Sequence, residues 1–85
     1  MTVYVDNANL AFGRMIMCHV IADSDTELLS AIEKINLDKK YHQYPNTWKS
    51  HFDVCKSKKK LLIENGAVEI SYKELGKIIL NKRSL

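Results

Sequence analysis

Apolar and polar positions divide this chain into segments of distinct kind. Residues 15–22, Met-Ile-Met-Cys-His-Val-Ile-Ala, are apolar throughout except at His19. An unalternating run of that length suits a strand covered on both faces, and it predicts the central strand of a sheet. Val3, Tyr4 and Val5, closed by Asp6, read as a shorter strand. Asn7 to Asn9 predict a turn and Gly13 a second bend, with Leu10 and Phe12 tucked under the sheet between them.

Helical signals follow. Ser24-Asp-Thr-Glu27 has the form of a capping box, and Asp25 and Glu27 suit the positive end of a helix dipole. Leu28, Leu29, Ile32 and Ile35 then form one apolar stripe over about three turns. Asp38 to Lys40 make a polar connection, Tyr41 to Tyr44 alternate like a short edge strand, and Pro45-Asn-Thr47 breaks it. Trp48 to Asp53 read as an irregular approach to a second helix that starts near Ser57 and carries Leu61, Leu62 and Ile63. Asn65-Gly66 supplies its left-handed cap. Ala67 to Ile70 predict another strand, and a second capping box, Ser71-Tyr-Lys-Glu74, opens a final helix through Leu75, Ile78 and Ile79.

Strands alternating with helices give the expected architecture: a small single α/β domain, with a mostly parallel or mixed sheet of about four strands packed with three helices. Ligands of such sheets sit outside the carboxyl ends of the strands, an edge expected to gather Asp6, Asp23 and the loop before Ser57.

Composition narrows the classes. At 85 residues, 46% apolar and 27% charged, the chain can bury one small core. So small a domain has a thin stability margin, which leaves homo-oligomerisation open. A net charge of +3 from thirteen basic and ten acidic residues is a mild bias toward anions. It falls short of the one-sided basic face of a nucleic-acid binder. No apolar run approaches the roughly 20 residues that a membrane span needs. With no secretory leader, Cys18 and Cys55 are expected to be reduced thiols of a cytoplasmic protein.

The candidate chemistry centres on residues 50–60, Ser-His-Phe-Asp-Val-Cys-Lys-Ser-Lys-Lys-Lys. His51 and Asp53 are two apart, so an extended backbone points both the same way. A carboxylate beside an imidazole orients it and raises its pKa, which suits acid or base work near neutral pH. The competing reading has Asp53 capping the next turn and His51 half exposed. Lys56, Lys58, Lys59 and Lys60 crowd a helix start, where cations oppose the dipole. A phosphate or carboxylate held by Ser57, Lys58 and Lys59 would resolve that conflict, as would a solvated basic face. His19 is either a satisfied core histidine or a site residue reached from the sheet edge. Trp48 and Tyr44 are core, lid packing, or an aromatic wall for a base.

Cys18, His19, His51 and Cys55 lack the short paired spacing of a structural zinc site, so neither metal nor cofactor is expected. Walker, Gly-x-Gly-x-x-Gly and Gly-x-Ser-x-Gly motifs are absent from the chain. The opening Val5-Asp-Asn-Ala-Asn9 resembles the start of PIN-like nucleases, without a later acidic row to complete a metal site.

A wider set of residues carries a second resemblance. Val3-Tyr-Val-Asp6, Phe12-Gly13, Cys18-His19, Ala22-Asp23, Glu27-Leu28, His51-Phe-Asp53, Ser57-Lys-Lys59 and Gly66-Ala-Val-Glu69 resemble, as a set, domain-of-unknown-function family 4031. The resemblance implies a small protein of bacteria or their phages. In that pattern Arg commonly stands where this chain has Lys59, and Trp where it has Phe12. A lysine keeps a point charge for an anion but loses the bidentate fork.

The expectation is a pocket for a phosphate-bearing small molecule or nucleotide. His51 is the acid or base, Asp53 orients it, Ser57, Lys58 and Lys59 cradle the anion, and Asp6, His19 and Asp23 line the floor. Phosphodiester or glycosidic hydrolysis would fit such a site. The alternatives are a module that sequesters a nucleotide signal or a host protein, and weak nucleic-acid binding through the lysines.

Overall fold

The computed structural model describes residues 2–84. In chain order it has strands β1 (Val3–Val5), β2 (Leu10–Phe12) and β3 (Met15–Ala22), helix α1 (Asp25–Lys34), and a 3-10 turn (Lys39–Tyr41). Strand β4 (Phe52–Cys55), helix α2 (Lys56–Glu64), strand β5 (Val68–Glu69) and helix α3 (Tyr72–Arg83) complete it. The result is a small α/β fold with a mixed five-stranded sheet. Strand β3 is its centre, antiparallel to β1 and β2 along one edge and to β4 along the other. Only β5, beside β1, runs parallel to its neighbour.

The unalternating run of β3 has the expected cause toward its C-terminal end, where Val20, Ile21 and Ala22 are all buried, whereas Met15 at its start is 48% exposed. Val5, Cys18, Val20, Phe52 and Val54 share one face, and Leu28, Ile32 and Leu62 of α1 and α2 close over it. Ile21 points the other way and is also fully buried, as is Leu75 of α3. Lys82 of α3 reaches the carbonyl of Ala22, fixing that helix against the end of β3.

Two of the three helix starts, those of α1 and α3, follow their local code. Ser71 and Glu74 form the complete reciprocal capping box. At α1 the Ser24 hydroxyl accepts from the Glu27 amide, but the Glu27 carboxylate turns to that hydroxyl instead of the Ser24 amide. Gly66, at φ +96°, takes the left-handed position that ends α2.

Three expectations need correction. Leu10 and Phe12 do not tuck beneath the sheet. After a break at Asp6 to Asn9 the chain pairs again with β3, and its hairpin turns at Gly13, φ +60°, leaving Phe12 76% exposed on the rim. Tyr41 to Tyr44 do not form a strand. Asp38 caps a 3-10 turn there, and only Gln43 bridges a strand-like partner, His51. The stretch before α2 is not irregular, because Phe52 and Val54 alternate into the core and make β4, so that α2 begins at Lys56. Cys18 and Cys55 are both free thiols.

Candidate functional site

The site arises where the β1 edge gives way. Asp6 is the first residue past β1 and fully buried. Its amide donates to the His19 carbonyl at 3.0 Å, and its Oδ1 accepts from the His19 amide at 2.7 Å. The carboxylate thus stands in for a strand carbonyl, satisfying a β3 amide that the break would leave without a partner. Its other oxygen, Oδ2, lies 2.8 Å from His19 Nδ1. One side chain therefore closes the sheet edge and orients an imidazole.

Burial of Asp6 opposes its ionisation, but the bonds from the His19 ring and from the His19 and Ala8 amides outweigh it and hold its pKa below the usual carboxylate value. The hydrogen bond to Asp6 raises the pKa of His19. Burial opposes this, and the charges of Asp6 and Asp53 add to the rise. The two shifts describe one ion pair.

Register brings in the rest. His19 lies directly opposite Asp53 in the β3–β4 ladder, and its Nε2 is 3.8 Å from Asp53 Oδ1. His51, two residues before Asp53 and on the same side, places its own Nε2 3.7 Å from that same oxygen. The His51 Nδ1 donates to the Lys49 carbonyl at 2.6 Å. A carbonyl only accepts, so this bond fixes the proton on Nδ1 and leaves Nε2 bare when the ring is neutral. Gln43 donates to Asp53 Oδ2 at 2.8 Å, while Oδ1 is screened from solvent without a hydrogen-bond partner. A buried acceptor of that kind is costly unless something supplies a donor. The Tyr72 ring stacks on His19 at 5.6 Å and Tyr44 on His51 at 6.1 Å.

Asp6, His19, His51 and Asp53 thus meet in one place. Asp23 does not join them. The antiparallel hairpin carries it to the opposite end of β1, where it binds the Thr2 amide at 2.9 Å, about 13 Å of strand from Asp6 at 3.3 Å per residue. The expected cradle does not converge either. Lys58 donates to the Ile35 carbonyl at 2.8 Å, capping the end of α1. Lys59 pairs with Glu69 at 2.5 Å. Ser57 lies 3.2 Å from the Cys55 sulfur. That contact lowers the Cys55 pKa against opposing burial, and the Ser57 and Lys58 amides help. Lys58 and Lys59 at the head of α2 are thus answered from within the protein. Among the described residues, no group of three or more His, Cys, Asp or Glu side chains is placed to hold a metal ion.

Two clefts flank the cluster. A cleft of about 790 Å³ is lined by Leu10, Phe12, Met15 and Met17, with His19 and Asp53 at its polar end. A second, of about 450 Å³, lies between Trp48 and α3 and includes His19, His51 and Tyr72. Sequence reasoning missed Gln43 and Tyr72 as site residues and weighed Cys55 only as a metal ligand. The period of two along His51, Asp53 and Cys55 could have found the last.

No helix among the described residues is long and apolar enough to cross a membrane. Comparison with curated proteins and with solved structures found no match to either. A family model described as Protein of unknown function (DUF4031) matches residues 3–82, and the chain belongs to that family.

Proposed function

We propose that the protein binds a nucleotide or another phosphate-bearing small molecule over His19, His51 and Asp53 and hydrolyses a phosphodiester in it. The observation that carries this reading is the unlike setting of two imidazoles around one carboxylate oxygen. His19 is held toward its protonated form by Asp6, whereas His51 is held by a carbonyl in the tautomer with a bare Nε2. A ring held toward its protonated form and a second ring with a free Nε2 place a proton donor and a proton acceptor on either side of one carboxylate oxygen.

In the proposed step, water forms a bond to phosphorus and neutral His51 takes its proton at Nε2. The bond from phosphorus to the leaving oxygen breaks, and protonated His19 gives that oxygen its Nε2 proton. One proton is taken and one returned, and exchange with solvent resets the pair. Asp53 lies between the rings, where it favours the charge on whichever carries the proton. Acid–base pairs of this kind contribute about 10² to 10⁴ in rate.

A second reading keeps the cleft without turnover. Leu10, Phe12 and Met15 are 49%, 76% and 48% exposed, an amount of open apolar surface that also suits a module holding its ligand intact.

The test is a thermal-shift screen of the purified protein against mononucleotides, cyclic nucleotides and dinucleotides, with mass spectrometry of each stabilising compound after incubation. A compound cleaved by the native protein and left intact by His19→Ala supports hydrolysis. One that stabilises the protein but stays intact supports the binding module. Stabilisation by none contradicts both.

A further inference from the structure

We infer that the phosphate of this ligand is held in the cleft between Trp48 and α3 by Lys49 and Lys73, so that the ligand lies across His19. The inference rests on the proposed function and adds where the two ends of the ligand sit. Lys58 and Lys59 at the head of α2 are poor candidates for the phosphate, since the first is bound to the Ile35 carbonyl and the second to Glu69, and Lys56 and Lys60 line a separate cleft that includes neither His19 nor His51. Lys49 and Lys73 are placed differently. Both line the smaller cleft, beside His51 and His19. Among the described residues neither forms an ion pair with a carboxylate, and no Asp or Glu lines that cleft.

The Lys49 ammonium instead lies 5.0 Å from the centre of the Trp48 ring and 5.6 Å from that of Tyr44. The Arg83 guanidinium stands 5.4 Å from the same indole. Cations gathered on one aromatic ring with no carboxylate among them repel one another, and a bound phosphate relieves that repulsion. The larger cleft has the opposite character, with a wall of Leu10, Phe12, Met15 and Met17 and no lysine except the committed Lys58.

His19 belongs to both walls. A ligand with its base or other uncharged body in the apolar cleft and its phosphate on Lys49 and Lys73 therefore passes beside the Nε2 atoms that the hydrolysis requires. The ligand class is a nucleotide, or another phosphate ester of an apolar ring, rather than free phosphate or a free nucleoside.

Trp48 is the single tryptophan of the chain, so its fluorescence reports on this cleft directly. The experiment titrates the native protein with the four common nucleoside monophosphates and with the four parent nucleosides. It is repeated with Lys49→Gln/Lys73→Gln and with Lys58→Gln. At least one monophosphate should perturb Trp48 and bind roughly tenfold or more tighter than its nucleoside, as expected for charge-assisted contacts to phosphate. The Lys49→Gln/Lys73→Gln protein should lose that preference while keeping the nucleoside affinity, and Lys58→Gln should keep the preference. Equal affinity for monophosphate and nucleoside in the native protein overturns the inference, as does a preference that survives in Lys49→Gln/Lys73→Gln or disappears in Lys58→Gln. If no monophosphate and no nucleoside binds, the proposed function fails and the subsite with it.

Discussion

The two faces of the β3–β4 ladder are built from alternate residues of the same strands, yet they are different materials. On one face Cys18, Val20, Phe52 and Val54 are closed over by α1 and α2 and are at most 1% exposed. On the other, His19 and Asp53 stand opposite each other in half-exposed positions, with His51 beside them and an unsatisfied carboxylate oxygen in the middle. The dry face needs only apolar volume, so it tolerates any well-packed set of side chains. The polar face needs particular atoms at particular distances. Strand pairing couples them, because the register that buries Phe52 against Val20 also sets Asp53 opposite His19.

The comparison breaks most sharply at His19 and Phe52. His19→Ala should lower hydrolysis of any cleaved nucleotide by about 10² to 10⁴, and should cost about 1–3 kcal/mol in stability by leaving the buried Asp6 without its ring partner. Phe52→Ala, one residue from Asp53 but facing the core, should cost about 3–5 kcal/mol in a chemical-denaturation curve. Comparable damage to activity and stability from both variants would show that the two faces are not separable.

Asp6 belongs to both requirements, since it closes the strand edge and orients the ring. Asp6→Asn should cost about 2 kcal/mol by the same denaturation measurement, because bonds from the His19 ring and amide lose a charged acceptor. It should also lower activity, in a fraction that remains folded. A smaller effect is expected from pH. Folding raises the pKa of His19, so its stabilisation is complete below the unfolded value of about 6.5 and is lost as pH rises through the raised value. Asp6 works in the other direction, with stabilisation present above about 4 and lost as pH falls through its lowered value. The stability difference between native protein and His19→Gln should therefore be greatest between about pH 4 and 6.5 and should shrink above neutrality, as melting curves across that range would show.

The smallest effect falls on the lysines of α2. Lys58→Met should cost about 1 kcal/mol by leaving the Ile35 carbonyl without its donor. Lys59→Met should change stability by less than about 1 kcal/mol, as expected of a partly exposed pair. Neither should affect the preference for a nucleoside monophosphate over its nucleoside.

What the sequence made legible was local. The starts of α1 and α3 were readable from four-residue capping patterns, and the central strand from an apolar run interrupted only by His19. Strand β4 was not, because it is short, has Asp53 within it and His51 just before it, and its identity comes from pairing with β3, more than thirty residues away. The pairing of His51 with Asp53 followed from spacing. The pairing of Asp6 with His19 required knowing that β1 and β3 run antiparallel, and the same reversal is what removes Asp23 from the site. The lysines misled for a related reason. The charge conflict at the head of α2 was real, but its answers, Ile35 and Glu69, come from other elements of the fold.

The most direct measurement is a long-range ¹H–¹⁵N NMR spectrum of the histidine rings, recorded with and without the nucleotide that most stabilises the protein. The chain supplies its own control: the third histidine, His42, is 2.6 Å from Ser50 and stacked on Phe52 at 4.7 Å. Binding at the proposed site should move the Nε2 signals of His19 and His51 and leave His42 in place, with the His51 Nδ1 proton retained throughout. A nucleotide that binds while shifting neither His19 nor His51, or that shifts all three rings alike, would contradict the claim that these residues form the site.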